Sequence, residues 1–460
     1  MLNSAEDLPL SIKYMLPSCV PSTPYETSGA DLGPREMEDA LEKYELLGIG
    51  EFMDFVGVSQ ASDQALEKLL VAKKFGKIID GHSPGLSGKL LNAYVAAGVA
   101  TDHECSTIEE MDERIKAGMY IQLREGSAAK NLEVLIKGVN PMNSRRCLLC
   151  SDDRQTKTIF EEGHLNKHLS ICVENGLDEV LALQMASLNS SECYGLKDRG
   201  GLAPGKRADI VLFEDLETFK ANKVFSAGKL VAENGSYLLE AKTTDDQKVR
   251  GRVKLKDFSK EKLALKLNSD QAYVIDILPE SLFTPKGISK VKRDGEGNFI
   301  FDENIDLAKI AVVERHKSTG NVGLGLLRGY GIKRGALGLS VAHDSHNIIC
   351  VGTNDDDMEL VVNTLVKQEG GMVLVCDNEV VDQMPLEIAG IMTNESGQWV
   401  KEALERLHNK AHDLLDINKD IEPFMSLCFM SLPVIPELKI TDLGVFDLGK
   451  NELLKDISKL

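Results

Sequence analysis

From residue 10 to about 155 the chain alternates short apolar segments with amphipathic ones. The segments near Tyr14–Cys19, Leu46–Gly50, Lys77–Asp80, Ala97–Thr101, Tyr120–Leu123 and Arg146–Cys150 are apolar on both faces, the pattern of buried parallel strands. Between them, Pro34–Tyr44, Asp63–Phe75, Lys89–Ala96 and Thr107–Ala117 repeat apolar residues at helical spacing, and Ser106 with Glu109 reads as a capping box opening the last of these. Two further helices, about Ile159–Glu174 and Leu177–Ser187, close this part of the chain. The alternation predicts a β/α barrel with six units, where closure needs eight. Nothing upstream of Leu10 supplies the other two, and an open barrel leaves strand edges unpaired. The expectation is a barrel incomplete on its N-terminal side, or completed by something else.

Gly200-Gly-Leu-Ala-Pro-Gly-Lys-Arg-Ala-Asp-Ile-Val-Leu-Phe213 reads as a turn leading into a strand, and short strands follow through Lys223–Leu239 with Gly228 and Gly235 as turn residues. This predicts a small β module. Residues 241–265 are highly charged and read as a linker or edge. From about 268 a second α/β unit is expected, with strands around Ala272–Ile277, Ile310–Glu314, Asn347–Gly352 and Met372–Cys376. Helices are expected at about Asp355–Gln368 and Gln398–Leu414. The predicted organisation is therefore a partial barrel over 1–199, a β module and linker over 200–265, and a C-terminal α/β domain over 266–460.

Candidate chemistry sits where the predicted strands run out. Glu51 ends Leu47-Gly-Ile-Gly-Glu51, His82 ends Ile78-Ile-Asp-Gly-His82, His103 ends Val99-Ala-Thr-Asp-His103 and Asp152 ends Leu148-Leu-Cys-Ser-Asp152. Side chains at the C-terminal ends of parallel barrel strands point into one mouth, so these four are distant in sequence and expected to be adjacent in space. Carboxylate and imidazole are the ligands of hydrolytic Zn, Mn or Fe sites. A lone Gly-His is ordinarily a satisfied core histidine, but four ligands on successive strand ends favour the metal. The fold class expected is thus a metal-dependent hydrolase β/α barrel with a β module and a C-terminal α/β domain.

Other motifs carry less. Glu104 is either a partner orienting His103 or a plain solvated acid. His343, Asp344 and His346 could ligate a metal, although a structural role is the stronger reading. Cys147-Leu-Leu-Cys150 lacks the His-x-Glu and second element of a zinc deaminase signature, and is rejected as one. The glycines of Gly320-Asn-Val-Gly-Leu-Gly-Leu-Leu-Arg-Gly329 are too loosely spaced for a dinucleotide loop.

With 460 residues the chain has room for two or three cores, and 43% hydrophobic with 27% charged residues is ordinary for a folded protein. The net charge of −19 argues against a nucleic-acid surface. No long uninterrupted apolar run and no signal-like N-terminus is visible, so no membrane span and a cytoplasmic setting are expected. Nine cysteines without framework spacing read as small buried hydrophobes.

Five stretches resemble adenine deaminases of the amidohydrolase superfamily: Pro17-Ser-Cys-Val-Pro-Ser-Thr-Pro-Tyr-Glu-Thr-Ser-Gly-Ala30, Asp80-Gly-His-Ser-Pro-Gly-Leu-Ser-Gly88, Asp102-His-Glu-Cys105, Arg124-Glu-Gly-Ser-Ala128 and Ser151-Asp-Asp-Arg154. The resemblance continues in Val313-Glu-Arg-His316, Val341-Ala-His-Asp-Ser-His-Asn-Ile348 and Leu432-Pro-Val-Ile-Pro-Glu-Leu-Lys-Ile-Thr-Asp442. It implies hydrolysis of adenine to hypoxanthine and ammonia by a metal-activated hydroxide, with manganese the expected ion and iron or zinc as alternatives. It also implies self-association. By resemblance Glu51 matches a carboxylate bridging two metals, His82 and His103 match ligands of the second, and Asp152 matches a ligand of the first that shuttles a proton. Arg124 and Ser127, with Glu104, are candidate adenine contacts. One departure stands out: the family's first strand ends in His-x-His, and this chain has no histidine before His82. The alternatives kept open are a non-catalytic remnant with a partial metal site, and a related amidohydrolase acting on another cyclic amidine.

Overall fold

Six parallel strands carry the first part of the chain in the computed structural model, which describes every residue except Ala128, Ala241, Thr243 and Glu280. β1 (Met15–Pro17), β2 (Gly48–Phe52) and β3 (Ile78–Gly81) pair in that order, and so do β4 (Thr101–Asp102), β5 (Tyr120–Arg124) and β6 (Cys147–Cys150). The two triplets meet where Ala100 N donates to Ile79 O at 2.9 Å. Among the described residues no strand pairs with the outer edge of β1 or of β6.

A one-turn helix, α1 (Leu2–Ala5), opens the chain; α2 (Pro34–Lys43), α3 (Phe55–Ser59), α4 (Asp63–Lys74), α5 (Gly88–Ala96), α6 (Ile108–Lys116) and α7 (Leu132–Leu135) follow the strands in turn. Local chemistry fixes their ends. Pro34 stands at the first turn of α2, where its missing N–H costs nothing, and the Glu36 carboxylate accepts from Gly33 N at 3.1 Å. The capping box of α6 is one residue later than the sequence pattern suggests: Thr107 Oγ1 accepts from Glu110 N and the Glu110 carboxylate accepts from Thr107 N, both at 3.2 Å. The helix expected over 159–174 is two, α8 (Thr156–Glu162) and α9 (Leu165–Glu174), because Gly163 at φ 100 leaves the helical region. α10 (Glu179–Ala186) and α11 (Leu188–Cys193) follow. The apolar faces of these helices close on the strands through Met37, Leu69, Leu91, Met111 and Leu135 against Ile49, Phe52, Ile121 and Leu123.

Four antiparallel strands, β7 (Ile210–Phe213), β8 (Ala221–Ser226), β9 (Lys229–Glu233) and β10 (Ser236–Tyr237), form the small β sheet. They belong with the barrel strands in one compact unit, residues 1–19 and 32–244. The second unit is residues 20–31 with 245–460. The charged stretch 241–265 is thus more than a linker: from residue 245 it folds with the second unit, where Val253 and Leu263 enter the core. Ala241 and Thr243 of that stretch lie outside the described residues.

The second unit is built on eight strands in the order β12-β11-β16-β15-β18-β17-β19-β20. They are β11 (Gln271–Asp276), β12 (Lys286–Lys290), β15 (Ala308–Val313), β16 (Val322–Arg328), β17 (Ala336–Leu339), β18 (Ile348–Gly352), β19 (Gly371–Cys376) and β20 (Glu379–Pro385). All neighbours are antiparallel except β11 and β16. A short ribbon, β13 (Lys292–Arg293) with β14 (Phe299–Ile300), stands apart. α12 (Asp355–Lys367) buries Met358, Val361, Val362 and Leu365 in the core of this sheet. α13 (Gly397–Leu415) and α14 (Pro423–Cys428) follow, then a second small sheet of β21 (Leu438–Thr441), β22 (Gly444–Asp447) and β23 (Glu452–Leu453). The glycines of β16 are where this hairpin crosses: a Cβ on Gly323 would lie 1.9 Å from Thr441 O.

The Val20–Asp31 segment is stitched into this unit. Thr441 Oγ1 donates to Tyr25 O at 2.6 Å, Ser345 Oγ to Glu26 Oε2 at 2.6 Å and Asn347 Nδ2 to Thr27 O at 2.7 Å. The His343 ring stacks on Phe429 at 4.7 Å, and its Nδ1 lies 3.3 Å from Asp344 Oδ1. Neither His343, Asp344 nor His346 enters a group with metal-ligand spacing among the described residues.

Candidate metal centre

β2 does not run straight into its loop. It pairs with β3 at Gly48–Ile78 and Ile49–Ile79, then shifts so that Phe52 meets Gly81, which places one extra residue on β2. Glu51 sits in that bulge at φ 36. A bulge re-aims the side chain it carries, and the Glu51 carboxylate, about half exposed, reaches within 3.9 Å of His103 Nε2. His82 follows the last residue of β3 and His103 the last residue of β4, so the parallel pairing that aligns the strands also aligns the imidazoles. His82 Nδ1 lies 3.4 Å from His103 Nε2. Asp152, two residues beyond β6, is at φ 50, a region that Asp tolerates better than most residues.

Glu104 is the surprise of the cluster. Its Oε1 is 3.3 Å from His103 Nε2 and 3.5 Å from His82 Nδ1, and the side chain is buried. It is no solvated acid. Two groups of ligand atoms result, each with all members within 4.8 Å: Glu51, His82 and His103, and His103, Glu104 and Asp152. His103 is common to both, so the four strand-end residues gather around one imidazole.

Arg124, the last residue of β5, is buried and its Nη atoms face carboxylates. Its Nη1 donates to Glu104 Oε1 at 2.6 Å and to Asp152 Oδ2 at 2.7 Å. Ser127 lies in the loop beyond it, where its Oγ accepts from Gln155 N at 2.9 Å and pairs with Thr158 Oγ1 at 2.9 Å. As placed, Arg124 orders the acids and Ser127 braces a loop; Ala128 of the same motif lies outside the described residues.

The electrostatics are those of a cation site. Burial opposes charge on the His103 imidazole, but the hydrogen bond and charge of Glu104, with Glu51 and Asp152, outweigh it and push the group up to about 10. Burial likewise raises Glu104, yet His82, His103 and Arg124 hold it well below the usual carboxylate range. Three acids thus surround two imidazoles. A metal ion satisfies such a set by displacing the proton. The spacing agrees: two nitrogens about 2.0–2.1 Å from one tetrahedral ion stand roughly 3.4 Å apart. His82 Nε2, buried and without a protein hydrogen-bond partner, is a further polar atom that the protein alone leaves unsatisfied. The residues present fit a divalent ion.

His103→Asn is accordingly expected to lower the bound Mn or Zn per chain, measured by elemental analysis of folded protein. Unchanged stoichiometry would show that His103 holds no ion.

Sequence reasoning missed the side chains that hold these strand ends. Lys68 Nζ on α4 donates to Ser18 O at 2.8 Å, and Ser18 Oγ donates to Glu51 O at 2.7 Å. Tyr94 on α5 accepts from His82 N at 3.0 Å and donates to Phe52 O. Arg114 on α6 donates from Nε to Asp102 Oδ2 at 2.7 Å and from Nη2 to Ser83 O at 2.6 Å. The signal was present: each interrupts the apolar stripe of its helix, as Arg114 does three residues after Met111. Cys147 and Cys150 are free thiols in β6, and burial pushes Cys147 up to about 12, which makes it inert.

The chain matches the amidohydrolase family over residues 1–231 and the adenine deaminase C-terminal domain over residues 281–452. It is 54% identical over 454 residues to adenine deaminase 2 of Desulfotalea psychrophila, covering 99% of this chain and 79% of that one. Against the adenine deaminase of Ligilactobacillus salivarius it is 48% identical over 456 residues, again 99% and 79% of the two chains. Among solved structures, a beta-aspartyl dipeptidase of Fervidobacterium islandicum AW-1 aligns over 45% of this chain and 62% of its own at 15% identity, with a TM-score of 0.35. Sequence likeness at this level over nearly the whole chain, on a sheet whose strand ends assemble two imidazoles and three carboxylates, makes this chain a member of the adenine deaminase family of amidohydrolases.

Proposed function

We propose that this chain hydrolyses adenine to hypoxanthine and ammonia, with Glu51, His82, His103 and Asp152 as the residues that hold a divalent ion, and Glu104 beside them. The observation that carries the reading is the convergence of those groups on His103 in a chain of this family. When bound, the ion supplies Lewis-acid charge that makes water acidic near neutral pH. The chain's own residues do the rest. Asp152, one-third exposed, takes the proton of the attacking water and returns it to the departing amine, a base turned acid. Arg124 holds the Asp152 carboxylate from one side at Oδ2, so the group keeps its orientation through both transfers. Glu51, aimed by its bulge, would hold the ion together with His82 and His103.

Manganese, a cytoplasmic setting in adenine catabolism and self-association complete the proposal, the first and last of them from the family resemblance. No helix among the described residues is long and apolar enough to cross a membrane. The domain division we propose keeps the expected order of barrel strands (1–199), small β sheet and C-terminal sheet domain, with the last boundary moved from 265/266 to 244/245, where the chain divides.

The test is ammonia release from adenine by the purified chain reconstituted with Mn, run beside other cyclic amidines. Release from adenine above all others is the expected result. A second reading, an ion-binding chain without turnover, has one observation in its favour. Among the described residues the cluster contains only two imidazoles, His82 and His103. Tight Mn binding with no ammonia from any substrate would establish that reading instead.

A further inference from the structure

Three consecutive helices each send one buried polar side chain to the strand ends. Lys68 serves the ends of β1 and β2, Tyr94 those of β2 and β3, and Arg114 those of β3 and β4. The last of these differs from the others in strength and in place. Arg114, Asp102 and Ser83 are completely buried. Ser83 directly follows His82, and Asp102 directly precedes His103. The guanidinium grips both: Nε on the Asp102 carboxylate, Nη2 on the Ser83 carbonyl, and Nη1 back on Glu110 O of its own helix at 3.4 Å. Ser83 Oγ closes the triangle by donating to Asp102 Oδ2. The second Asp102 oxygen accepts from Glu104 N at 2.8 Å, so the same carboxylate fixes the backbone of the third group in the cluster.

We propose that Arg114 is a positioning residue for the metal centre: its fork sets the separation of His82 and His103, and with it the affinity and ligand geometry of the ion. The inference rests on the metal reading of these two histidines. The physical case is that a loop end bearing one ligand and a strand end bearing another are joined through one rigid, planar cation. Lysine carries the charge but not the fork, and cannot satisfy Asp102 and Ser83 along fixed directions. Groups that orient metal ligands from behind typically contribute 10–100-fold in affinity. Arg114 touches neither the ion site nor the substrate mouth, so its effect passes through the two imidazoles.

The experiment compares wild type with Arg114→Lys, Arg114→Met and Leu135→Ala. The last removes an equally buried side chain of the same unit that takes part in none of these hydrogen bonds, and so controls for lost stability. Two quantities are read on folded protein: the Mn dissociation constant by calorimetry, and the visible absorption of the Co-loaded chain, which reports ligand geometry. The expected result is a 10–100-fold weaker Mn constant and a changed Co spectrum in Arg114→Met. Arg114→Lys is expected to fall between, and Leu135→Ala to keep the wild-type constant and spectrum despite a lower melting temperature. Wild-type affinity and spectrum in Arg114→Met would overturn the proposal. So would an equal change in Leu135→Ala, which would reduce Arg114 to a stability role. If Arg114→Met does not yield folded protein, Arg114→Lys, which keeps the charge but not the fork, must weaken Mn binding and change the Co spectrum or the proposal fails. A wild-type chain that binds neither Mn nor Co overturns the metal reading itself, an outcome distinct from the others.

Discussion

Asp152→Asn is expected to cut turnover of adenine by about 10²–10⁴ while leaving the fold in place, the loss typical of a missing general acid–base group. The amide matches the carboxylate in shape but accepts no proton, so water attack loses its base and the amine its acid. Stability should move little. Asp152 is one-third exposed, and its ion pair with Arg124 is one of two that Arg124 makes; the Glu104 pair at 2.6 Å survives the change. A partly exposed pair of this kind contributes on the order of 1 kcal/mol or less. The signature is therefore a large fall in kcat with a melting temperature close to wild type. Turnover within a few-fold of wild type would show that another group carries the proton, and Glu104 would be the next residue to test.

The strand-end logic reached the site because it depends on a property visible in sequence. A parallel strand buried on both faces is a mostly apolar run, and the ligand-type residues just past its end mark the mouth. Glu51, His82, His103 and Asp152 were found on that ground alone. Glu104 and Arg124 were harder, because their roles turn on which way a loop residue points. Glu104 follows His103 and could face water or the cluster; only Asp102 on its amide and Arg124 on its carboxylate decide for the cluster. Arg124 read as a substrate contact because it stands at a strand end, and its Nη1 is shared by two acids within 2.7 Å.

The second unit was legible only in part, for the opposite reason. Its apolar strands at β11, β15, β18 and β19 are continuous runs and were expected close to where they lie. β16 and β17 were not, because the glycines of Val-Gly-Leu-Gly-Leu and Ala-Leu-Gly-Leu interrupt the apolar run. Glycine weakens a strand unless another backbone comes close, and no pattern within β16 reveals that a hairpin over a hundred residues later will cross it. The antiparallel order of the sheet was hidden with those strands. The wandering of Val20–Asp31 into this unit was equally invisible. Its hydrogen bonds to Ser345, Asn347 and Thr441 are contacts of more than three hundred residues' separation.

Gly323→Val should expose that hidden crossing. Gly323 has no left-handed backbone to protect, so its glycine is required for space alone. A Cβ there would stand 1.9 Å from Thr441 O and 2.8 Å from Gly444 N, both backbone atoms of the β21–β22 hairpin. Neither can swing aside as a side chain would. Thr441 is also held by Tyr25 O through its hydroxyl, and Gly325 packs the next turn of the same hairpin against Val445. Overpacking commonly costs about 1–3 kcal/mol, and an immovable backbone places this case at about 3 kcal/mol or beyond. For a unit of this size that corresponds to a fall of roughly 6–12 °C in melting temperature. The lost protection should concentrate on the amides of Leu438–Asp447 in hydrogen exchange. Gly295→Ala, at a position with nothing within 4 Å of the added carbon, is the matched control and should melt with wild type. A Gly323→Val chain with wild-type melting and a fully protected hairpin would mean that β21–β22 does not cross β16 at this residue.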